Sequence, residues 1–156
     1  MLRSSIELTS IITEYIGILD SCFHKQQADK FMSVYRMCNY REMSRSIING
    51  KYLDRGYLSS STSIDELRKF VDGKKDTYEP ALLKINIPLG TCVLDIERIV
   101  ELDSDEKEIL FKRNSQFEIN KNLENSKFES LSLDPIWSDE LENFRFIEMD
   151  FDIYIE

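Results

Sequence analysis

Short segments of alternating apolar and polar residues, separated by only a few residues, dominate the second half of the chain and constrain its fold most. Strand-forming residues occupy positions 81–87, 91–96, 108–112 and 116–119, and a longer alternating segment runs over residues 144–155. Connections this short join strands that run in opposite directions. The sequence therefore predicts a mostly antiparallel sheet in this half of the chain.

The N-terminal segment has the pattern of an amphipathic helix. Apolar residues recur at helical spacing from Leu8 to Phe23, and Ser4 with Glu7 has the form of a capping box. The other predicted elements are strands at residues 31–37 and 57–61, short helices at residues 41–48 and 63–71, and a long surface loop at residues 121–139.

Two local signals set the ends of the short helices. Asn49-Gly50 is expected to end the first one, and Ser63 is expected to cap the second. With 156 residues and 42% hydrophobic content, the chain has the material for one core. We therefore predict a single α+β domain over residues 1–156, with helices first and mostly antiparallel sheet after them.

The charge balance excludes some functional classes. The chain carries 20 Lys+Arg against 29 Asp+Glu, a net charge of −9, which disfavours nucleic acid as a partner and favours cationic partners. No apolar run approaches the length of about 18 residues that spans a bilayer, and no signal peptide is recognisable, so no membrane partner is expected. The three cysteines form no disulfide framework and indicate a reducing compartment.

Several common catalytic centres lack their residues in this sequence. The single histidine, His24, lies in a polar connector without a nucleophile beside it, and we expect it to be a solvated loop residue. Cys22 and His24 have no second pair of ligands at metal-site spacing, so no metal is expected. The five glycines form neither a dinucleotide fingerprint nor a phosphate-binding loop. A bound nucleotide would therefore have to be held by residues other than a glycine-rich motif.

Three segments are candidates for a functional site, although each has an ordinary structural explanation when taken alone. Arg36, next to Tyr35, is more simply an arginine whose stem packs on the sheet while its head reaches water. The serine run at residues 59–63 fits a polar strand end that leads into a helix cap. Glu106 and Glu108 share one face of a strand start, but carboxylate pairs with the same spacing occur elsewhere in this chain.

The order and context of these segments resemble the Arg-Ser-Glu class of mono-ADP-ribosyltransferases, which includes clostridial binary toxins and vertebrate ecto-enzymes. Val34-Tyr35-Arg36 matches the first strand motif of that family, and Gly56-Tyr57-Leu58-Ser59-Ser60-Ser61 matches the second, with serine in place of the usual threonine. The most specific match is the Glu-x-Glu-x-Leu motif with the turn and strand that follow it, residues 106–119. The resemblance runs from about residue 6 to the C-terminus.

The resemblance implies a fold of two abutting, steeply crossed, mostly antiparallel sheets with an NAD cleft between them. It implies that Arg36 holds the pyrophosphate or the nicotinamide ribose. Glu108 would accept a hydrogen bond from the ribose 2′-hydroxyl and stabilise an oxocarbenium-like state, and Ser59 would orient Glu108. The residues expected at the NAD site are Tyr35, Arg36, Ser59, Ser60, Ser61, Phe70 and Glu108.

Glu106 is expected to bind the acceptor. In this family a glutamate at that position accompanies arginine modification, and a carboxylate suits the paired donors of a guanidinium. Asp103 and Asp105 would draw the cationic acceptor in. The expected activity is therefore NAD-dependent mono-ADP-ribosylation of arginine on a target protein, with release of nicotinamide, by a toxin or effector acting in a cytoplasm without a readable export signal.

The sequence also departs from the family pattern. Met37 follows Arg36, where relatives often have glycine or arginine. In the loop after the serine strand, relatives often carry an arginine that grips the dinucleotide, and here only Lys74 and Lys75 supply that charge. Phe70 suits either a grip on the dinucleotide or the core, beside Leu67. Relatives usually have several helices before the arginine strand, so a partner protein or a second subunit is a candidate to complete or block the cleft.

Two other functions stay open on the sequence alone. Within the family, the acceptor could be a small guanidino compound, a nucleic acid or water, and water would make the protein an NAD glycohydrolase. Outside it, a catalytically silent module could use its acidic surface to bind a basic partner. The combination of Arg36, Ser59 and Glu108 disfavours this second alternative, since binding alone needs none of them together.

Overall fold

The computed structural model describes residues 2–71, 78–100 and 107–152. The helices are α1 (Leu2–Cys22), α2 (Tyr40–Met43) and α3 (Ile96–Val100), and short 3₁₀ helices occupy Ser44–Ser46, Ile64–Phe70, Glu129–Leu131 and Ser138–Glu140. The strands are β1 (Met32–Asn39), β2 (Ile47–Ile48), β3 (Lys51–Asp54), β4 (Leu58–Ser61), β5 (Pro80–Ile87), β6 (Val93–Asp95), β7 (Glu108–Phe111), β8 (Ser115–Ser126) and β9 (Phe144–Phe151).

These strands form a hydrogen-bonded sheet in the order β2-β3-β8-β9-β5-β1-β4-β7-β6. Every neighbouring pair is antiparallel except β5 and β9, which are parallel. The predicted α+β class, the N-terminal helix and the mostly antiparallel pairing are therefore confirmed. The predicted strands at 31–37, 57–61, 81–87, 91–96 and 108–112 correspond to β1, β4, β5, β6 and β7, with ends that differ by a few residues.

The sheet has two parts that meet at a narrow joint. β1 pairs with β5 over eight residues, from Met32 to Asn39, but its register with β4 consists of the single pair Tyr35 and Ser61. The larger part therefore ends at β1, and β4, β7 and β6 form the smaller part. The two abutting sheets that the resemblance implied are these two parts, joined through one backbone pair.

The prediction of a helix over residues 41–48 was only half right. The helix ends at Met43, and after one 3₁₀ turn the chain forms a hairpin of β2 and β3. Asn49 and Gly50 connect these strands with positive φ angles of 53° and 75°, as in a two-residue hairpin turn. Both residues adopt a left-handed backbone conformation, which also occurs where helices end. The same two residues are therefore compatible with a helix end and with a hairpin turn.

The prediction of a surface loop over residues 121–139 was only partly right, because it holds for the irregular and mostly exposed residues after Ser126. β8 continues to Ser126, and register shifts against β9 between Ile119 and Lys121, and again before Ser126, interrupt the simple alternation. Beyond it, Phe128 and Trp137 are only 5% and 4% exposed and pack edge to face with ring centroids 5.2 Å apart. This segment therefore supplies core residues.

The apolar core has two clusters, which alternation along each strand assigns to opposite faces of the sheet. The larger cluster contains Val34, Leu83 and Ile147, and the smaller contains Met37 and Leu82 with the aromatic residues of the 128–146 segment. Met37 and Leu67 of the smaller cluster also line the candidate site described below, whereas Arg36, opposite Leu83 in the register, lies on the face of the larger cluster.

The C-terminal end of α1 is attached to the sheet through Asp20. Its carboxylate accepts hydrogen bonds from the Tyr57 hydroxyl and from Arg113 Nη2, both at 2.7 Å. Phe23, just after the helix, is buried and stacks on Tyr57. Because Tyr57 precedes β4 and Arg113 follows β7, Asp20 connects α1 to both strands of the smaller part that border the site.

Some further expectations can be compared with the structure. His24 is exposed, as predicted, and the three cysteines are unpaired. Burial raises the pKa of the Cys38 thiol to about 11. In the described part of the chain no helix is long and apolar enough to cross a membrane.

Candidate active site

The pairing of β4 with β7 brings Ser59 and Glu108 together. Ser61 lies opposite Glu108 in the register, so Ser59, two residues earlier on β4, is a diagonal neighbour on the same face. The Ser59 hydroxyl donates to Glu108 Oε1 at 2.7 Å. The hydrogen bond expected from the sequence is therefore present, and it fixes the direction of a partly exposed carboxylate.

Arg36 reaches the same place from β1. Its Nη1 donates to the backbone carbonyl of Ser59 at 2.7 Å, and the side chain is partly buried. The three residues singled out in distant parts of the sequence, Arg36, Ser59 and Glu108, are thus connected by two consecutive hydrogen bonds. Only one guanidinium N–H is engaged in this contact, so the remaining donors of Arg36 are available for a ligand.

A cleft of about 130 Å³ opens where β1 and β4 diverge beyond their single backbone pair. Its lining consists of Arg36, Met37, Ser59, Ser60, Ser61, Glu66, Leu67, Lys69, Phe70 and Glu108. Ligand pockets typically measure about 300–1,000 Å³. The described cleft therefore matches one end of a dinucleotide rather than the whole molecule.

The 3₁₀ helix Ile64–Phe70 forms one wall of the cleft. Leu67 is 2% exposed and anchors this helix in the smaller core cluster, whereas Phe70 is 51% exposed and lines the cleft. The exposure of Phe70 rules out the core alternative considered for it. Ser63 occupies the N-cap position, as predicted, but its hydroxyl makes no capping hydrogen bond, and its backbone N–H donates to Ser61 Oγ.

Residues 136–140, at the end of the predicted surface loop, hold this wall in place. The Trp137 indole N–H donates to the backbone carbonyl of Ile64 at 3.2 Å, and Asp65 accepts from the Ile136 N–H at 2.8 Å. Arg68 pairs with Glu140 at the surface. Contacts at both ends of the short helix therefore fix the cleft wall to the body of the protein.

The other residues expected at the NAD site differ in how they are placed. The Ser60 hydroxyl is buried and donates to the Ile109 carbonyl at 2.8 Å, so it joins β4 to β7. Ser61 also lines the cleft, with its hydroxyl accepting from the Ser63 N–H. Tyr35 packs against the smaller core cluster and is not among the described lining residues. Tyr35 is therefore part of the core packing next to the site.

The residues expected to receive the acceptor, Glu106, Asp103 and Asp105, lie outside the described residues, as do Lys74 and Lys75. The start of β7 itself is well defined. The Thr62 N–H donates to the Lys107 carbonyl at 3.1 Å, and the Lys107 N–H donates to Glu97 at 2.8 Å. The backbone of Lys107, directly before β7, is therefore held by two hydrogen bonds.

Besides Met37, three residues of one 3₁₀ helix line the cleft without having been predicted: Glu66, Leu67 and Lys69. A 3₁₀ helix places residues i and i+3 in one row, so a search for side chains that repeat every third residue could have identified them. Met37, noted only as a departure from the family pattern, also lines the cleft. Among the described side chains, no group of three or more metal-ligating residues is present.

A family model described as ADP-ribosyltransferase exoenzyme matches residues 2–136 of the chain. The comparison with curated protein sequences gave no significant match.

Several solved structures of bacterial proteins resemble the chain at low sequence identity. ADP-ribosyltransferase Vis from Vibrio splendidus, in a complex with agmatine, is 19% identical with a TM-score of 0.64, over 93% of this chain and 60% of Vis. The catalytic domain of VahC from Aeromonas hydrophila is 14% identical with a TM-score of 0.65, over 95% of this chain and 74% of VahC.

Exoenzyme S from Pseudomonas aeruginosa, in a complex with human 14-3-3 protein beta and bound to Carba-NAD, is 14% identical with a TM-score of 0.60. The match covers 90% of this chain and 58% of exoenzyme S. The chain thus spans about 60% of the length of the Vis structure and of exoenzyme S. At these identities the likeness establishes the fold.

Proposed function

The chain belongs to the ADP-ribosyltransferase exoenzyme family, and we propose that it transfers ADP-ribose from NAD to an arginine side chain of a target protein, releasing nicotinamide. The observation that carries this proposal is the pair of hydrogen bonds that connects Arg36, Ser59 and Glu108 at one cleft. A catalytically silent binding module would have no need for a carboxylate oriented in this way.

Glu108 is the proposed catalytic residue. Its Oε1 is occupied by the Ser59 hydroxyl, which leaves Oε2 to accept a hydrogen bond from the 2′-hydroxyl of the nicotinamide ribose. The negative charge of Glu108 would then lie beside the sugar carbon that becomes positive as nicotinamide departs. Ser59 is assigned as a positioning residue, because its hydroxyl donates to Glu108 Oε1 and so sets the direction of the carboxylate.

Arg36 is proposed to hold the diphosphate or the nicotinamide ribose. A guanidinium offers five N–H donors in one plane, which suits phosphate oxygens, and the contact with Ser59 uses only one of them. Phe70, half-exposed at the cleft, offers an aromatic face to the ligand. That exoenzyme S has been observed with Carba-NAD supports NAD as the substrate.

Arginine as the acceptor rests on the sequence at residue 106 and on one relative. Glu106 would bind the guanidinium and take up its proton as a nitrogen attacks the sugar carbon, and Asp103 with Asp105 would attract the cation. Agmatine, which Vis binds in its structure, carries the same guanidinium group as arginine. The net charge of −9 also favours a cationic partner.

The site of action is proposed to be the cytoplasm of a target cell, because the similar structures include toxins of this fold. The described cleft holds only one end of the dinucleotide, so the adenine end would extend along the adjoining surface. A partner protein that completes or blocks this surface is part of the proposal.

The experiment that tests the proposed function is incubation of the protein with labelled NAD and a cell lysate, followed by mass spectrometry of the modified residues. ADP-ribose on arginine, absent with the Glu108→Ala variant, is the expected result. The matched control is Glu129→Gln, an exposed glutamate outside the cleft, which should behave as wild type. Modification of another residue type, or release of nicotinamide without protein labelling, would overturn arginine as the acceptor.

A further inference from the structure

A second carboxylate, that of Glu66, lines the cleft together with Glu108. Glu66 lies on the 3₁₀ helix Ile64–Phe70 and is partly buried. Its side chain has no hydrogen-bond or ion-pair partner among the described residues. A charge that is partly withdrawn from water without a partner carries a desolvation cost, which a cationic ligand in the cleft would relieve.

The surroundings of Glu66 favour a flat cation. Because a 3₁₀ helix has three residues per turn, Leu67 and Phe70 form one row on the cleft wall and Glu66 lies in the neighbouring row. Met37 and Leu67 are 5% and 2% exposed, and Phe70 adds a half-exposed aromatic ring. The cleft therefore offers an apolar surface next to a carboxylate that has no partner among the described residues. An aromatic face itself attracts cations, and the Lys69 ammonium lies over the Phe70 ring, 5.3 Å from its centroid.

The backbone position of Glu66 is fixed before any ligand binds. Asp65 and Ile64, which precede it, hold the backbone N–H of Ile136 and the indole of Trp137. The anchored Leu67 follows directly. The backbone that carries the carboxylate is therefore held in place, and binding has to order only the side chain of Glu66.

We propose that Glu66 binds the positively charged nicotinamide ring of NAD⁺ and so distinguishes the oxidised dinucleotide from NADH and from free nicotinamide. This inference rests on the proposed function, since it places the nicotinamide end in this cleft. Among the groups of the dinucleotide, only the oxidised ring is both flat and cationic. The reduced ring of NADH and the ring of free nicotinamide have nearly the same shape as the oxidised ring but carry no charge. Glu66 therefore does not strengthen their binding.

The attraction would end when the reaction occurs. As the bond between ribose C1′ and the ring nitrogen breaks, its electron pair goes to the nitrogen and nicotinamide leaves as a neutral molecule. The positive charge passes to the ribose and is removed when a guanidino nitrogen of the acceptor attacks C1′ and gives a proton to Glu106. Glu66 would therefore hold the substrate more strongly than the product, which favours release of nicotinamide.

The test is the Glu66→Gln variant, which removes the charge and keeps the size of the side chain. Binding is measured by calorimetry with a carbocyclic NAD⁺ analogue, which keeps the pyridinium charge and resists cleavage, and with NADH. Affinity for the charged analogue should fall by about tenfold, the order expected for one contact between opposite charges at a partly solvated site. Affinity for NADH and inhibition by nicotinamide should not change.

Kinetics supply a second readout that a merely structural role would not give. Because Glu66 stabilises the charge present in the ground state, Glu66→Gln should raise KM for NAD⁺ without lowering kcat. Glu129→Gln, which removes one exposed charge from a different 3₁₀ helix, is the matched control and should change neither constant.

The possible failures can be told apart. Equal losses of affinity for the charged analogue and for NADH would show an effect of shape, and a higher KM for the arginine acceptor with unchanged dinucleotide binding would assign Glu66 to the acceptor. Either result overturns the role of Glu66 while leaving the proposed function intact. If the wild-type protein bound neither dinucleotide, the proposed function and this inference would both be wrong.

Discussion

The Arg36 guanidinium lies 2.7 Å from the backbone carbonyl of Ser59, whose hydroxyl lies 2.7 Å from Glu108. The residue proposed to bind the dinucleotide is thus tied to the residue that orients the catalytic carboxylate. Because Arg36 contacts the backbone of Ser59 and Glu108 contacts its side chain, a substitution of Ser59 by alanine removes only the bond to Glu108.

Ser59→Ala tests the positioning role of the hydroxyl. A hydrogen bond to a charged group contributes about 1.5–3 kcal/mol, so kcat should fall by about tenfold to a hundredfold. Steady-state release of nicotinamide measures this loss. Ser63→Ala is the control, because the Ser63 hydroxyl does not cap its helix and the residue does not line the cleft. A Ser59→Ala variant that turned over like wild type would refute the assignment.

Arg36→Lys tests whether a planar fork of donors is needed. Lysine keeps the charge but cannot reach Ser59 and a phosphate oxygen at once from one planar group. We expect KM for NAD to rise by about tenfold or more, with a smaller change in kcat. Arg41→Lys, on the exposed helix α2, provides the comparison. Equal kinetic constants in the two variants would count against the proposed role of Arg36.

Glu106→Gln separates the two halves of the proposed reaction. Breaking the bond to nicotinamide does not need the acceptor, so this variant should lose arginine modification and keep appreciable NAD hydrolysis. Glu108→Ala should lose both. Labelled NAD, with protein labelling and free nicotinamide measured in the same reaction, gives both values. If the two variants lost the two activities in equal proportion, Glu106 would have no separate role in the acceptor step.

Trp137→Phe tests the support behind the cleft wall. The substitution keeps an aromatic ring in the core but leaves the Ile64 carbonyl without its donor, at an expected cost of about 1–3 kcal/mol in the free energy of unfolding. Chemical denaturation measures this cost, and NAD affinity should weaken with it. The neighbouring Ile136 is 91% exposed, so Ile136→Ala should leave both properties unchanged. Lowered stability with intact NAD affinity would show that the wall tolerates loss of this contact.

Asp20 makes stability depend on acid pH. Its hydrogen bonds from Arg113 and Tyr57 hold the pKa of the Asp20 carboxyl below its ordinary value. A lowered folded-state pKa means that the stabilisation is fully present above the unfolded-state pKa of about 3.9 and is lost as pH falls through the folded-state value. Wild type should therefore exceed Asp20→Asn in stability at pH 7, and the gap should close below about pH 4.

Urea denaturation of the two proteins at a series of pH values measures this gap. A gap that stayed constant down to pH 3 would mean that the Asp20 charge does not contribute. Asp139→Asn, which removes an exposed carboxylate of the 3₁₀ helix Ser138–Glu140, controls for the change in net charge.

The sequence was sufficient for the three central site residues but not for the wall that faces them. Arg36, Ser59 and Glu108 belong to motifs in strands, where alternation fixes the face on which a side chain lies. Glu66 and Lys69 lie on a 3₁₀ helix, whose period of three differs from both periods used to interpret the sequence. Sequence patterns indicated a helix there but not which side would face the cleft.

The errors in the fold have similar local causes. The second half of β8 is polar because most of its side chains after Phe117 are exposed, and its register shifts break the period of two that marks a strand. At Asn49-Gly50, one pair of residues is compatible with either a helix end or a hairpin turn. Only the pairing of β3 with β8, a contact between distant parts of the chain, decides between them.

The single backbone pair between Tyr35 and Ser61 has a consequence for which ligands can enter. The neighbouring pairings are longer, with eight residue pairs between β1 and β5 and four between β4 and β7, and they resist separation. Between β1 and β4 only one backbone pair and the hydrogen bond from Arg36 to Ser59 have to stretch for the cleft to widen. Adjustment to bulkier dinucleotide analogues should therefore occur between β1 and β4. Ser59 and Glu108 both lie on the β4 side of this joint, so the distance between them should stay the same.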